Sequence, residues 1–326
     1  MSIEIVGPEV EAKLDWVALT EAIAAGHSLP RAEVGDTILR RGGDTLLTRS
    51  AWIDGMGLAV KAATVFPQNP QKGVASINGA VTLFDDATGC LEALVDFTLV
   101  TKWKTAGDSL LAARHLARRD AKDILIVGAG AVALSMVEAY RAGFPGARFT
   151  VWARNPEAAR AFAERTGATP APDLEAAVRR AEIIATATMA TAPILRGDWL
   201  QPGTHLDLIG AYRPDMREAD DAVMRRARVF VDSRATTIHH IGELMQPIAA
   251  GVIAETDVIA DFYDLAAGTF ARRSDDEITL CKNGGGAHLD LMTARYILDR
   301  ARAGCPSPCR QGRLSEWREC HADRNL

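Results

Sequence analysis

Residues 123–134 read D-I-L-I-V-G-A-G-A-V-A-L, and the interpretation of this stretch decides the fold. Four apolar residues, Ile124 to Val127, predict a short strand buried in a parallel sheet, and a helical spacing begins after Gly130. Between them lies a G-x-G-x-x-A turn. There Gly128 permits the tight bend, Gly130 lets the backbone come close to a pyrophosphate, and Ala133 is small enough for the helix to pack on the strand. Phosphates would sit at the positive end of the helix, which makes Gly128, Gly130, Ala131 and Val132 the candidates for that contact. Such turns also occur without any ligand, so the flanking sequence has to carry the assignment.

Downstream, strands and helices alternate. Strands are predicted at 149–152, 183–188, 205–210 and 229–232, and helices at 156–166, 174–180 and 217–226. This pattern argues for an α/β protein with a Rossmann-type, doubly wound parallel sheet. The second strand ends in V-W-A-R-N-P (151–156). A site that prefers NAD carries an acidic residue there, to accept from the ribose hydroxyls. Arg154 cannot accept but pairs well with a 2′-phosphate, so NADP(H) is expected, NAD(H) remains possible, and Arg154 and Asn155 are the candidate contacts. An arginine merely facing water is the alternative. A second glycine loop, Gly284 to Gly286, precedes His288, which is placed either to meet the coenzyme or substrate or simply to start a helix.

Upstream the pattern is different. A helix over 15–25 presents Trp16, Leu19, Ile23 and Ala24 on one face, and short strands follow at 37–41, 45–49, 58–66, 75–84 and 90–96 with hairpin turn signals between them. These predict a smaller antiparallel α+β unit, joined through an Ala- and Leu-rich helix over 98–118 and a polar boundary near 118–122. Three cations stand out in this half. Arg49 ends an apolar strand and Lys61 interrupts another, where burial is costly unless an anion is met. Lys104 and Thr105 are expected at a helix start, with Thr105 as N-cap and Asp108 and Ser109 in the first turn.

The chain has 326 residues, 48% of them hydrophobic, with a net charge of −5 and scattered Lys and Arg. Neither nucleic acid nor an anionic membrane is an expected partner. The start lacks a basic, apolar leader and no stretch of about 18 apolar residues occurs, so a cytoplasmic location is expected. Five cysteines at irregular spacing predict reduced thiols. His239 and His240 lack supporting ligands, and no metal is expected.

The motifs K-A-A-T-V-F-P-Q-N from Lys61, L-F-D-D-A-T-G from Leu83, K-T-A-G-D-S from Lys104, the turn at Gly128 and G-A-Y-R-P-D-M-R-E from Gly210 together resemble the ornithine cyclodeaminase/mu-crystallin family. The resemblance covers roughly residues 30 to 300. It implies a substrate-binding and dimerisation domain over 1–118, completed by about 287–303, and an NAD(P)-binding Rossmann domain over 119–286. The tail 304–326 has no counterpart.

By position, Lys61 matches the family's active-site lysine and Arg49 the holder of the substrate carboxylate. Lys104 replaces an Arg that many members use for the same grip, so a point charge stands where a bidentate fork would be. Thr105 is implied at the coenzyme phosphates, and Thr186, Ala187 and Thr188 along the coenzyme. Cyclodeaminases and archaeal-type alanine dehydrogenases carry an Asp two positions after the glycine matching Gly210. Here that residue is Tyr212, and Asp215 is expected to cap a helix near Met216. Without the carboxylate the site suits ammonia expulsion poorly. The resemblance therefore implies NAD(P)H-dependent reduction of a cyclic ketimine, first of all Δ1-pyrroline-2-carboxylate to L-proline, by a homodimer. Ornithine cyclodeaminase and an NADPH-retaining binding protein are the alternatives.

Overall fold

The structure is a computed structural model describing residues 3–303. Its first sheet comprises β1 (Glu4–Val6), β2 (Glu33–Arg41), β3 (Asp44–Ile53), β4 (Gly57–Val65), β5 (Ile77–Phe84) and β6 (Leu91–Asp96). Their spatial order is β1-β6-β5-β4-β3-β2, with antiparallel pairing except for β1, which joins β6 in parallel. β1 has no counterpart among the sequence expectations. Three residues are too few to show a period. In β4 alternate residues, including Ala59, Lys61 and Ala63, are buried, as expected for a sheet covered on one face.

Helix α1 (Trp16–Gly26) starts at Asp15, whose carboxylate accepts from Ala18 N at 2.7 Å. Helix α2 (Phe97–Leu116) follows β6 without a loop, and its N-cap is Asp96, accepting from Leu99 N at 2.6 Å. Thr105 therefore caps nothing, and Lys104, Asp108 and Ser109 lie in the helix interior. The physical reason is that Asp96 already satisfies the first turn and no Gly or Pro interrupts the chain before residue 105.

The second sheet is wholly parallel. It consists of β7 (Asp123–Val127), β8 (Arg148–Trp152), β9 (Thr169–Pro170), β10 (Ile183–Thr186), β11 (His205–Leu208), β12 (Arg228–Val231) and β13 (Thr279–Lys282), in the order β12-β13-β11-β10-β7-β8-β9. The connecting helices are α3 (Ala131–Gly143), α4 (Pro156–Thr166), α5 (Leu174–Arg180), α6 (Asp221–Arg226), α7 (Arg234–Thr237) and α8 (Gly242–Ala249), and α9 (Ala287–Arg302) closes the described chain. Strand order reverses between β7 and β10, where doubly wound sheets open a crevice for ligands. The predicted helix over 217–226 shortens to α6, capped by Asp220 on Val223 N. Asp215 caps nothing either. It forms an ion pair with Arg213 at 2.8 Å.

Helix α2 touches β5 and β6 of the first sheet and β11 and β13 of the second, and α9 returns to pack on β2 to β6, α1 and α2. One apolar cluster runs from Val81 and Leu83 through Leu110 and Leu111 to Ile124 and Ile126. The surfaces facing the crevice are thus tied together by α2. Cys281 is a buried free thiol and Cys90 a half-buried one. Among the described residues no group of His, Cys, Asp and Glu could hold a metal ion, and no helix is long and apolar enough to cross a membrane. The tail 304–326 lies outside the described residues.

Candidate active site

Arg49 and Lys61 are direct cross-strand partners on β3 and β4, so their side chains leave the same face of the sheet. That face is the one covered by α9. Lys61 is 8% exposed, and its ammonium donates to Asp290 Oδ1, in the first turn of α9, at 2.9 Å. Its Nζ also lies 4.9 Å from the centre of the Phe97 ring. Burial lowers the Lys61 pKa; Asp290 opposes this, while the charges of Lys104 and Arg49 add to it. The three cations flagged by the sequence therefore share one neighbourhood. The partner that makes burial of Lys61 tolerable is Asp290, which sequence reasoning missed. Its signal was a lone acid, after His288, in an otherwise apolar helix start.

Arg49 is already engaged. Its Nε and Nη2 donate to Asp36 Oδ2 on β2 at 3.0 and 2.9 Å. A substrate carboxylate would have to share that guanidinium with Asp36. Lys104 makes no ion pair among the described residues. Its ammonium lies against Gly285, where a Cβ would come within 2.7 Å of it and where φ is +69°. That glycine loop is held by Asp232, whose Oδ2 accepts from Gly284 N and Gly285 N at 2.9 and 2.6 Å. Thr105 is half-buried beside Lys104.

His288 is buried in the first turn of α9, edge-on to His27 with ring centres 5.4 Å apart. Burial and the charges of His27, Lys104, Arg49 and Arg31 push its pKa down to about 3. It is a neutral ring and not a proton donor near neutral pH. Its Nε2 has no hydrogen-bond partner among the described residues. Tyr212 is 56% exposed, with the Arg213 guanidinium 5.4 Å from its ring centre, and the Asp215 carboxylate two residues on from Arg213 is paired with that guanidinium.

On the other side of the crevice, Gly128 has φ +119° and a Cβ there would meet Ala187 O at 2.6 Å, so both backbone and space demand glycine. Nothing lies within 4 Å of a Cβ at Gly130, and Ala131 and Val132 are exposed at the start of α3. This open cradle beside free helix N–H groups fits a pyrophosphate. Arg154 is exposed just beyond β8. Asn155 is not free: its side chain caps α4, accepting from Glu157 N at 3.0 Å.

The Thr186 and Thr188 hydroxyls are likewise engaged within the chain. Both donate to Glu218, at 2.7 and 2.6 Å, and Glu218 also accepts from the N–H groups of Thr188, Gly210 and Ala211. Five donors converge on one buried carboxylate, which explains why β10 and β11 end at Thr186 and Leu208 instead of running on to 188 and 210. Glu218 in turn hangs from Glu243, which accepts from Glu218 N and Ala219 N at 2.7 and 3.0 Å.

The glycine turn of the parallel sheet, together with the neighbourhood of Lys61, Arg49 and Lys104, points to the class. The model of the ornithine cyclodeaminase/mu-crystallin family matches residues 50–305, and the chain belongs to that family. Among its relatives, the Δ1-pyrroline-2-carboxylate reductase of Paracoccus denitrificans is 51% identical over 299 residues, 90% of this chain and 94% of that one. The structure of the Thermococcus litoralis Δ1-pyrroline-2-carboxylate reductase with NADH and L-proline aligns with a TM-score of 0.82 at 26% identity, over 94% of this chain and 100% of that chain. The iminosuccinate reductase of Paracoccus denitrificans with NAD+ aligns at 0.84 and 25% identity, covering 92% and 97%.

Proposed function

We propose that the protein reduces a cyclic ketimine with NAD(P)H, converting Δ1-pyrroline-2-carboxylate to L-proline. The observation that carries this reading is the neighbourhood of Lys61, Arg49 and Lys104, close to the glycine loop and lacking a carboxylate at position 212. Residues 1–118 with 287–303 act as the substrate and pairing half, and 119–286 as the coenzyme half. Lys104 and the shared Arg49 hold the ring carboxylate, and both steer an anionic substrate inward. Lys61, with its pKa lowered by burial and neighbouring cations, serves as proton source for the ring nitrogen, directly or through water, and Asp290 fixes its position. The bound nicotinamide coenzyme supplies the hydride that adds to the imine carbon. One hydride and one proton convert the C=N bond to CH–NH.

Arg154 favours NADPH over NADH, and Gly128, Gly130, Ala131 and Val132 cradle the pyrophosphate, with Thr105 near it. The exposed apolar side chains of β2 and β5, Val34, Ile38, Leu39 and Ile77, suit pairing with a second copy. The enzyme works in the cytoplasm, where free thiols such as Cys281 persist.

Purified protein is expected to oxidise NADPH with Δ1-pyrroline-2-carboxylate, and Arg154→Glu to weaken NADPH about tenfold while sparing NADH. Production of proline and ammonia from ornithine without net coenzyme consumption would overturn the reading.

A further inference from the structure

One turn beyond Lys104 on α2 lies a carboxyl group that the reading above does not use. Asp108 is fully buried, and neither of its oxygens has a hydrogen-bond partner among the described residues. Its acidic neighbour is Asp232, just past β12. Asp232 is saturated: its Oδ1 accepts from Ser233 N at 2.7 Å and its Oδ2 from Gly284 N and Gly285 N. Three N–H donors on one carboxylate hold it ionised. A second ionised carboxylate beside it, buried and without a donor, would be uncompensated, whereas two carboxyls in one dry site can share a proton.

We propose that Asp108 is protonated in the native protein and donates its O–H to Asp232, clamping α2 to the Gly284–Gly286 loop and fixing Lys104 against Gly285. Asp108 is thus a positioning residue, and its catalytic consequence rests on the reading of Lys104 and that loop as part of the substrate site. The groups facing the pair are Lys104 on α2, Asp207 on β11, Cys281 and Lys282 on β13, and Tyr140 on α3. Lys282 is committed elsewhere, donating to Leu208 O and Asn283 O at 2.6 and 2.7 Å. Tyr140 donates to Asp207. Lys104 and Asp108 are spaced for an ion pair along the helix, but the ammonium lies at Gly285. Burial raises both carboxyl groups, Asp108 the further, because N–H donors oppose the rise at Asp232.

The proton can be read without substrate. The infrared difference spectrum of wild type minus Asp108→Asn at neutral pH is expected to show one protonated-carboxyl C=O band. A carboxyl raised in the fold destabilises it as pH climbs from the ordinary carboxylate range toward the folded value, so the melting temperature of D108N should gain on wild type with rising pH. Asn keeps a donor for Asp232, so D108N should retain turnover with Δ1-pyrroline-2-carboxylate within about threefold, whereas Asp108→Ala should raise KM about tenfold with a smaller change in kcat. Absence of the band, or a melting gap independent of pH, overturns the assignment whatever the substrate is. The band present with D108N as impaired as D108A overturns the clamp. Wild type without turnover, but with the band, would count against the substrate reading and leave the proton assigned.

Discussion

The two sheets handle charge in opposite ways. The first is covered on one face and carries its charges along the strands: Lys61 and Arg49 interrupt apolar alternation and point under α9. The second is buried on both faces, and its acids cluster at or just beyond the C-terminal ends of strands. There Asp232 and Glu218 collect backbone N–H groups and hold loops in place. A cation in the first sheet meets a side-chain carboxylate, Lys61 with Asp290 and Arg49 with Asp36, while a carboxylate in the second meets its own backbone. Under the proposed function, the charge assigned to binding and the charge that holds loops are separated between the two halves, with α2 between them.

The largest expected effect is at Lys61. Lys61→Met leaves Asp290 buried without its partner and should destabilise the fold by about 3–5 kcal/mol. It should also cut turnover by about 10²–10⁴, the usual range for a proton-transfer group. Adding Asp290→Leu should restore melting but not turnover. Recovery of turnover in the double variant would break the claim that the first sheet's charge is there for the ligand.

Glu218→Gln is the matching test in the second sheet. Gln offers one acceptor oxygen to donors that now share two, at a cost of about 1–3 kcal/mol. Coenzyme affinity, followed by NAD(P)H fluorescence, should fall about tenfold as the 186–188 and 210–211 segments loosen. At saturating coenzyme, KM for the imino acid should change little. A change confined to the imino acid would reverse the assignment of the two walls.

The smallest effect sharpens the comparison through pH. Burial pushes His205, inside β11, down to about 3, as it does His288. A histidine kept neutral in the fold takes up a proton more readily once unfolded, so its contribution is complete above about pH 6.5 and lost as pH falls toward the folded value. His205→Gln should therefore gain stability relative to wild type by about 1 kcal/mol for each pH unit of acidification below 6. Asp207 and Glu243, raised by burial to about 6 and 7, act in the opposite direction and are present in both proteins. The difference between the two melting curves isolates the histidine.

Much of this was legible in the residues. The turn at Gly128, the parallel alternation and the misplaced cations at 49, 61 and 104 all break or follow a local period, and local periods survive in a one-dimensional string. Thr105 lies inside α2 and not at its start because a helix begins at whichever acid caps first, and here that is Asp96. The hydroxyls of Thr186 and Thr188 and the side chain of Asn155 lay near the expected contacts, yet each is bound to its own chain.

By itself the sequence determined the dinucleotide fold, its glycine cradle and the strands that carry the cations, since backbone geometry and burial pattern follow from neighbours a few residues away. The tertiary structure alone decided the partners: Lys61 with Asp290 across 229 residues, Asp232 with the loop at 284–285, Glu218 with two strand ends. A buried charge or donor is stabilised by whatever the fold brings within 3 Å, and that proximity is not written in sequence order.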